Sequence, residues 1–214
     1  TKDSRRMIKN IIFDFGGVLL PINTEKTAIE FAKMGLDNFE ELYSMKQQAK
    51  FFDDFEKALT PASTFSSEIR RHSTRPLSDD EIDFAWNALL GEMNPERFNF
   101  LNELSGKYNI YLLSNTNIIH HTAFIKSLNQ TFGKDRFEKL FEKTYYSFQM
   151  GTRKPDKRIF TEVIKDSGVI PAETVFIDDN LNNALGAQKA GLNAIHHDVQ
   201  MEIEKDLMAM LSAF

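Results

Sequence analysis

Five short apolar runs separated by helical stretches limit most strongly what this chain can fold into. They are Lys9 to Phe15 (KNIIFDF), Asn109 to Ser114 (NIYLLS), Thr144 to Phe148 (TYYSF), Thr174 to Ile177 (TVFI) and Leu192 to Ile195 (LNAI). Near-continuous apolar character, rich in β-branched and aromatic residues and bounded by turn or helix-stop residues, marks strands buried on both faces. Helices are expected between them. Asn94-Pro95 supplies an N-cap and an N1 proline for a helix to about Lys107, and Asp156 to Ser167 ends at Gly168. Leu181 to Ala190 stops at Gly191, and Glu202 to Leu211 is amphipathic. Strand-helix alternation of this kind demands an α/β fold, with a mostly parallel sheet covered by helices on both sides.

One region departs from the alternation. From about Pro21 to Met93 there is helical periodicity and no convincing strand, and Ser78-Asp79-Asp80-Glu81 forms a capping box for a helix running to Leu90. Residues 1–20 and 94–214 are therefore expected to form the core domain, with 21–93 an all-helical insert. The insert follows the first strand, so it emerges at the carboxyl end of the sheet, where open α/β folds place ligands, and would roof the site. Hinges are expected around Leu20 to Asn23 and Met93 to Pro95. Phe51, Phe52, Phe55 and Trp86 read as core of the insert, and Arg70, Arg71 and Arg75 as a solvated helix face.

Composition removes whole classes of function. With 42% hydrophobic and 27% charged residues the chain lies far from the disordered corner. No run approaches the roughly 18 apolar residues of a membrane helix, and TKDSRRMIKN leads into IIFDF without a signal-type segment, so a cytoplasmic protein is expected. Zero cysteines exclude disulfide, thiolate-zinc and thiol-nucleophile chemistry. A net charge of −5 gives no footprint for nucleic acid. A small-molecule substrate is the expected partner.

Four segments at predicted strand ends carry chemistry. Asp14 closes a buried strand and is followed by Phe15-Gly16-Gly17, a turn able to aim N–H groups at an anion and a carbonyl at a metal, although a helix-capping acid would also fit. Ser114-Asn115-Thr116-Asn117 brings hydroxyl and amide donors to the same edge, or caps a helix. Thr152-Arg153-Lys154-Pro155-Asp156 places a lysine before a helix-starting proline, where an ordinary surface lysine is the alternative. Asp178-Asp179 at the end of VFI pairs two carboxylates whose repulsion needs a cation. Hard oxygen donors of this kind favour Mg²⁺ over zinc.

In this order the segments resemble the haloacid dehalogenase (HAD) superfamily of aspartate-nucleophile hydrolases: IIFDFGGVLL its nucleophile motif, LLSNTN the second, GTRKPDKRIF the lysine motif and VFIDDNLNNALGA the acidic one. The insert resembles the family's first-type helical cap. A narrower likeness, over Ser114 to His120, Gly151 to Ile159 and Phe176 to Asn183, is to bacterial sugar-1-phosphate phosphatases, implying an α-D-glucose-1-phosphate-like substrate. The resemblance implies that Asp14 attacks phosphorus to form an aspartyl-phosphate, and that Ser114 and Lys154 hold phosphoryl oxygens. It implies that Asp14, Asp179 and the Gly16 carbonyl bind Mg²⁺, that Asp178 binds it directly or through water, and that Asn183 orients these ligands. Gly17, Asn115 and His120 complete the implied substrate contacts.

Gly16 departs from the superfamily pattern, where most phosphatases carry a second aspartate as acid and base. General acid–base help is typically worth ~10²–10⁴ in rate. His120 is one replacement; the other reading makes it a polar residue on an exposed helix. The competing functions are a 2-haloacid dehalogenase, which would gain nothing from Asp178-Asp179, a phosphomutase, which generally needs the acid lost at Gly16, and a catalytically impaired binding protein.

Overall fold

The computed structural model describes residues 7–44, 46–198 and 202–214. Strands β1 (Asn10–Phe13), β2 (Asn109–Ser114), β3 (Lys143–Tyr146), β4 (Thr174–Asp178) and β5 (Asn193–His196) form one sheet in the order β3-β2-β1-β4-β5, every pair parallel. Between β1 and β2 come α1 (Thr24–Lys33), α2 (Phe39–Ser44), α3 (Lys46–Glu56), α4 (Ala62–His72), α5 (Asp79–Asn87) and α6 (Pro95–Ser105). Helix α7 (Ile118–Phe132) follows β2, α8 (Ser147–Met150) and α9 (Lys157–Ser167) follow β3, α10 (Leu181–Lys189) joins β4 to β5, and α11 (Ile203–Leu211) comes last.

Successive strand residues point to opposite faces, and the two cores sort accordingly. Ile11, Phe13, Leu112 and Ile177 pack with α6, α7 and α11, whereas Ile12, Leu113 and Phe176 pack with α9 and α10. Helices α1–α5 bury a third core in which Phe55 stacks on Phe65 at 4.5 Å and Phe52 on Trp86 at 5.4 Å. Phe52, Phe55 and Trp86 thus pack as the apolar spacing predicts. No helix among the described residues is long and apolar enough to cross a membrane.

Three boundaries differ from expectation. The third strand ends at Tyr146, and Ser147 turns into α8 because its buried hydroxyl accepts from Thr116 N at 3.0 Å. Helix α5 stops at Asn87, not Leu90, because the next residues pair with the outgoing chain: Asn23 N donates to Leu89 O at 2.9 Å and Gly91 N to Pro21 O at 2.8 Å. The two crossings into the helical segment are therefore zipped together at 21–23 and 89–91, ahead of the expected second hinge, since Met93 is buried and Asn94 already caps α6.

Candidate active site

Because β2, β1 and β4 are neighbours, their carboxyl ends bring Ser114, Asp14 and Asp178 together, and the loop after β3 adds Lys154. Asp14 N continues the ladder by donating to Ile177 O at 2.8 Å, which fixes the carboxylate just beyond the last pair. Lys154 is 1% exposed, and its ammonium donates to Asp14 Oδ1 at 2.7 Å, Asp178 Oδ2 at 2.7 Å and Leu113 O at 2.9 Å. The surface-lysine reading is overturned: a buried ammonium needs all three partners. Its loop is clamped reciprocally by Asn115, whose amide donates to Lys154 O and accepts from Lys154 N, both at 2.9 Å. The Asn115 side chain, expected to contact substrate, is thus engaged by that backbone. The helix-capping alternative holds for part of the second segment, since Asn117 caps α7 by accepting from His120 N at 3.0 Å, whereas Asp14 and Ser114 cap no helix and sit buried at this edge.

Asp178 is fully buried and accepts from Lys154, from Asn183 Nδ2 at 3.0 Å and from Asn180 N at 2.8 Å. Asp179, less buried, lies over the β1 turn, where a Cβ on Gly17 would sit 2.3 Å from its Oδ2. Gly17 also has a φ of +82°, so both the conformation and the close approach require glycine. Oxygens of Asp14, Asp178 and Asp179 lie within 4.8 Å of one another. Three carboxylates against one ammonium leave negative charge in excess. Burial, aided by Asp178 and Asp179 and opposed by Lys154, pushes the Asp14 carboxyl up to about 7. Asp179 is raised by burial and by Asp178. A cluster of hard oxygens with unbalanced charge fits a divalent cation such as Mg²⁺.

A cavity of about 410 Å³ opens above this cluster, lined by Gly16, Gly17, Ser114, Thr116, His120 and Asp179 from the sheet side and by Tyr43, Glu56 and Trp86 from α2, α3 and α5. His120 is not on an exposed helix surface. Its ring stacks on Trp86 at 4.5 Å, and its Nδ1 lies 2.8 Å from Asn87 Oδ1. Burial pushes its pKa down to about 3, so the imidazole is neutral, with Nδ1–H donating to Asn87. It holds no proton for a leaving group at neutral pH. At Gly16 a Cβ would lie 3.0 Å from Ile22 Cγ1, so an apolar side chain of the crossing segment stands beside the position of the missing acid.

Several residues of the site escaped the sequence reading. Arg153, next to Lys154, reaches Asp53 at 2.7 Å and Glu56 at 2.9 Å on α3. Ser147 Oγ lies 2.7 Å from Glu56 O, so the loop of the lysine and the strand beneath it are both tied to the helical segment. Glu56 itself is pushed up by burial against the lowering effect of Arg153. The arginine beside Lys154 was the one local signal. Nothing in periodicity singles out Glu56.

The haloacid dehalogenase-like hydrolase family matches residues 8–191. The chain belongs to that family, and is a hydrolase. Among its relatives, D-ribitol-5-phosphate phosphatase of Bacteroides thetaiotaomicron is 31% identical over 207 residues, which cover 97% of this chain and 100% of that protein. A HAD family enzyme of the same species, crystallised with magnesium and inorganic phosphate, is 36% identical with a TM-score of 0.83, over 91% of this chain and 96% of that one. L-2-haloacid dehalogenase of Xanthobacter autotrophicus shares the fold, with a TM-score of 0.63 over 97% of this chain and 88% of its own, at 19% identity.

Proposed function

We propose that this protein is a Mg²⁺-dependent phosphatase that hydrolyses a small phosphorylated sugar or polyol through an aspartyl-phosphate on Asp14. What carries this reading is the buried Asp14–Lys154–Asp178 chain beneath the cavity, with Asp179 beside it. Asp14, Asp179 and the Gly16 carbonyl would hold Mg²⁺, with Asp178 beside them fixed by Asn183. The bound ion would offset charge between an anionic carboxylate and an anionic phosphate.

An Asp14 oxygen attacks phosphorus, the P–O bond to the substrate alcohol breaks, and that oxygen takes a proton from solvent water to leave as alcohol. Water then attacks phosphorus and gives a proton to solvent, the bond to Asp14 breaks, and phosphate departs with the carboxylate restored. Lys154 holds Asp14 in place and stabilises negative charge on the transferring group. Ser114 and the turn at Gly17 face phosphoryl oxygens. His120 presents Nε2 as an acceptor for a substrate hydroxyl.

The sugar-1-phosphate narrowing rests on motif likeness alone, whereas the relative matched over its full length acts, by its name, on D-ribitol 5-phosphate. Both are small hydroxylated monophosphates. The test is phosphate release from D-ribitol 5-phosphate, α-D-glucose 1-phosphate and p-nitrophenyl phosphate, with Mg²⁺ and with chelator, beside a 2-haloacid control. Metal-dependent release is expected. Halide release without metal would move the chain to the dehalogenases, and silence on every phosphoester would leave a binding protein.

A further inference from the structure

The cavity wall contributed by the helical segment has an unusual charge pattern. Among the described residues, the charged side chains lining the cavity are Glu56 and Asp179, both acids, and no lysine or arginine lines it. Among the described residues, the nearby cations are already paired behind that wall: Arg153 with Asp53 and Glu56, and Lys57 with Asp53 at 2.5 Å. His120 is neutral. Apart from Lys154 and the carboxylate cluster at the floor, no described residue there would receive a second anion.

Glu56 is held in that wall by its ion pair with Arg153. Its Oε2 is enclosed, and although Arg153 Nε lies 2.9 Å away the pair lacks hydrogen-bond alignment, so both atoms are without a hydrogen bond. With Oε2 turned to Arg153, the carboxylate still lines the cavity and can accept from a ligand there. The hydroxyl of Tyr43 lies near enough to Glu56 to feel its charge, and Trp86 supplies an aromatic surface in the same wall. A carboxylate can accept from two neighbouring hydroxyls at once, while the C–H face of a polyol packs on an aromatic ring.

We propose that Glu56 selects the leaving group: it accepts hydrogen bonds from the hydroxyls of an uncharged sugar or polyol and rejects phosphate esters whose far end carries a carboxylate or a second phosphate. This rests on the phosphatase reading and narrows it. A second anion placed beside the Glu56 carboxylate would meet like charge, and discrimination follows from that repulsion as much as from the hydroxyl contacts.

The experiment compares kcat/KM for D-ribitol 5-phosphate and D-ribonate 5-phosphate, which differ only at the far carbon, with p-nitrophenyl phosphate as a probe of the chemistry. The wild type is expected to favour the ribitol ester at least about tenfold, and Glu56→Gln to reduce that ratio to about threefold or less. Glu56→Asp, which keeps the charge, should preserve the preference. Because a ratio within one protein is read, loss of folded material does not enter it; should Glu56→Gln fail to fold, the ratio in Glu56→Ala is read in its place. A wild type that hydrolyses p-nitrophenyl phosphate but treats the pair alike, or a ratio unmoved in Glu56→Gln, overturns the role of Glu56 and leaves the phosphatase reading intact. No hydrolysis of any ester overturns the phosphatase reading itself.

Discussion

The floor of the cavity and its roof are held together by different physics. The floor is polar and buried: Asp14, Lys154, Asp178 and Ser114 sit at strand ends, and each N–H of the lysine has a partner. The roof is apolar, a pile of phenylalanine rings on Trp86 within α1–α5, with its ion pairs largely at the surface. Arg153 and Ser147 tie one to the other. Half-satisfied buried charge is costly, so the floor tolerates little change, whereas an aromatic core can be repacked if its volume is kept. Under the proposals above, the chemistry would belong to the floor and substrate choice to the roof, two structures that can vary separately.

The largest expected effect falls on the floor. Asp14→Asn should lower kcat by at least ~10³ on any phosphoester, since the nucleophile is lost. Asparagine keeps an acceptor for Lys154 and relieves the excess of buried negative charge, so the thermal midpoint without Mg²⁺ should hold or rise. Phosphate release and a melting curve measured on one preparation check both halves. Activity retained in Asp14→Asn would end the nucleophile assignment.

The roof should answer in the opposite way. Phe65, fully buried among Phe51, Phe55 and Trp86, should cost about 3–5 kcal/mol when truncated to alanine, while the folded fraction still hydrolyses p-nitrophenyl phosphate. Urea unfolding with parallel assays measures this. A Phe65→Ala protein that is stable but inactive would erase the distinction between the two regions.

The smallest effect lies at their seam. His120 titrates near 3 when folded and near 6.5 when unfolded, so between those values the unfolded chain binds more protons and stability falls as pH drops. The contribution is up to about 1.4 kcal/mol per pH unit. In His120→Asn the stability curve between pH 4 and 6 should be correspondingly flatter, as read from urea midpoints. An unchanged slope would mean that the ring is not the neutral, Trp86-stacked group described above.

Much of this was legible in the sequence because it depends on short stretches. A buried strand must be apolar throughout, and its end is where a carboxylate, hydroxyl or lysine stands out, which is how Asp14, Ser114 and Asp178 were found. Capping residues such as Ser78 and Asn94 announced their helices, because the side chain satisfies N–H groups within the next turn. The boundaries that slipped, at Ser147 and after Asn87, were those where a residue bonds to a segment far away in the chain.

What the sequence by itself determined is therefore the parallel α/β frame, the helical segment between its first two strands and the order of the candidate site residues along it. Local propensity and side-chain period decide these. Tertiary structure alone decided that Ile22 stands beside Gly16, that His120 is neutral against Trp86, that Asn115 grips the backbone of Lys154, and that Arg153 is neutralised by Asp53 and Glu56. Each of these depends on which distant segments packing brings within a few ångströms, and on how far burial then strengthens charge and hydrogen bonding.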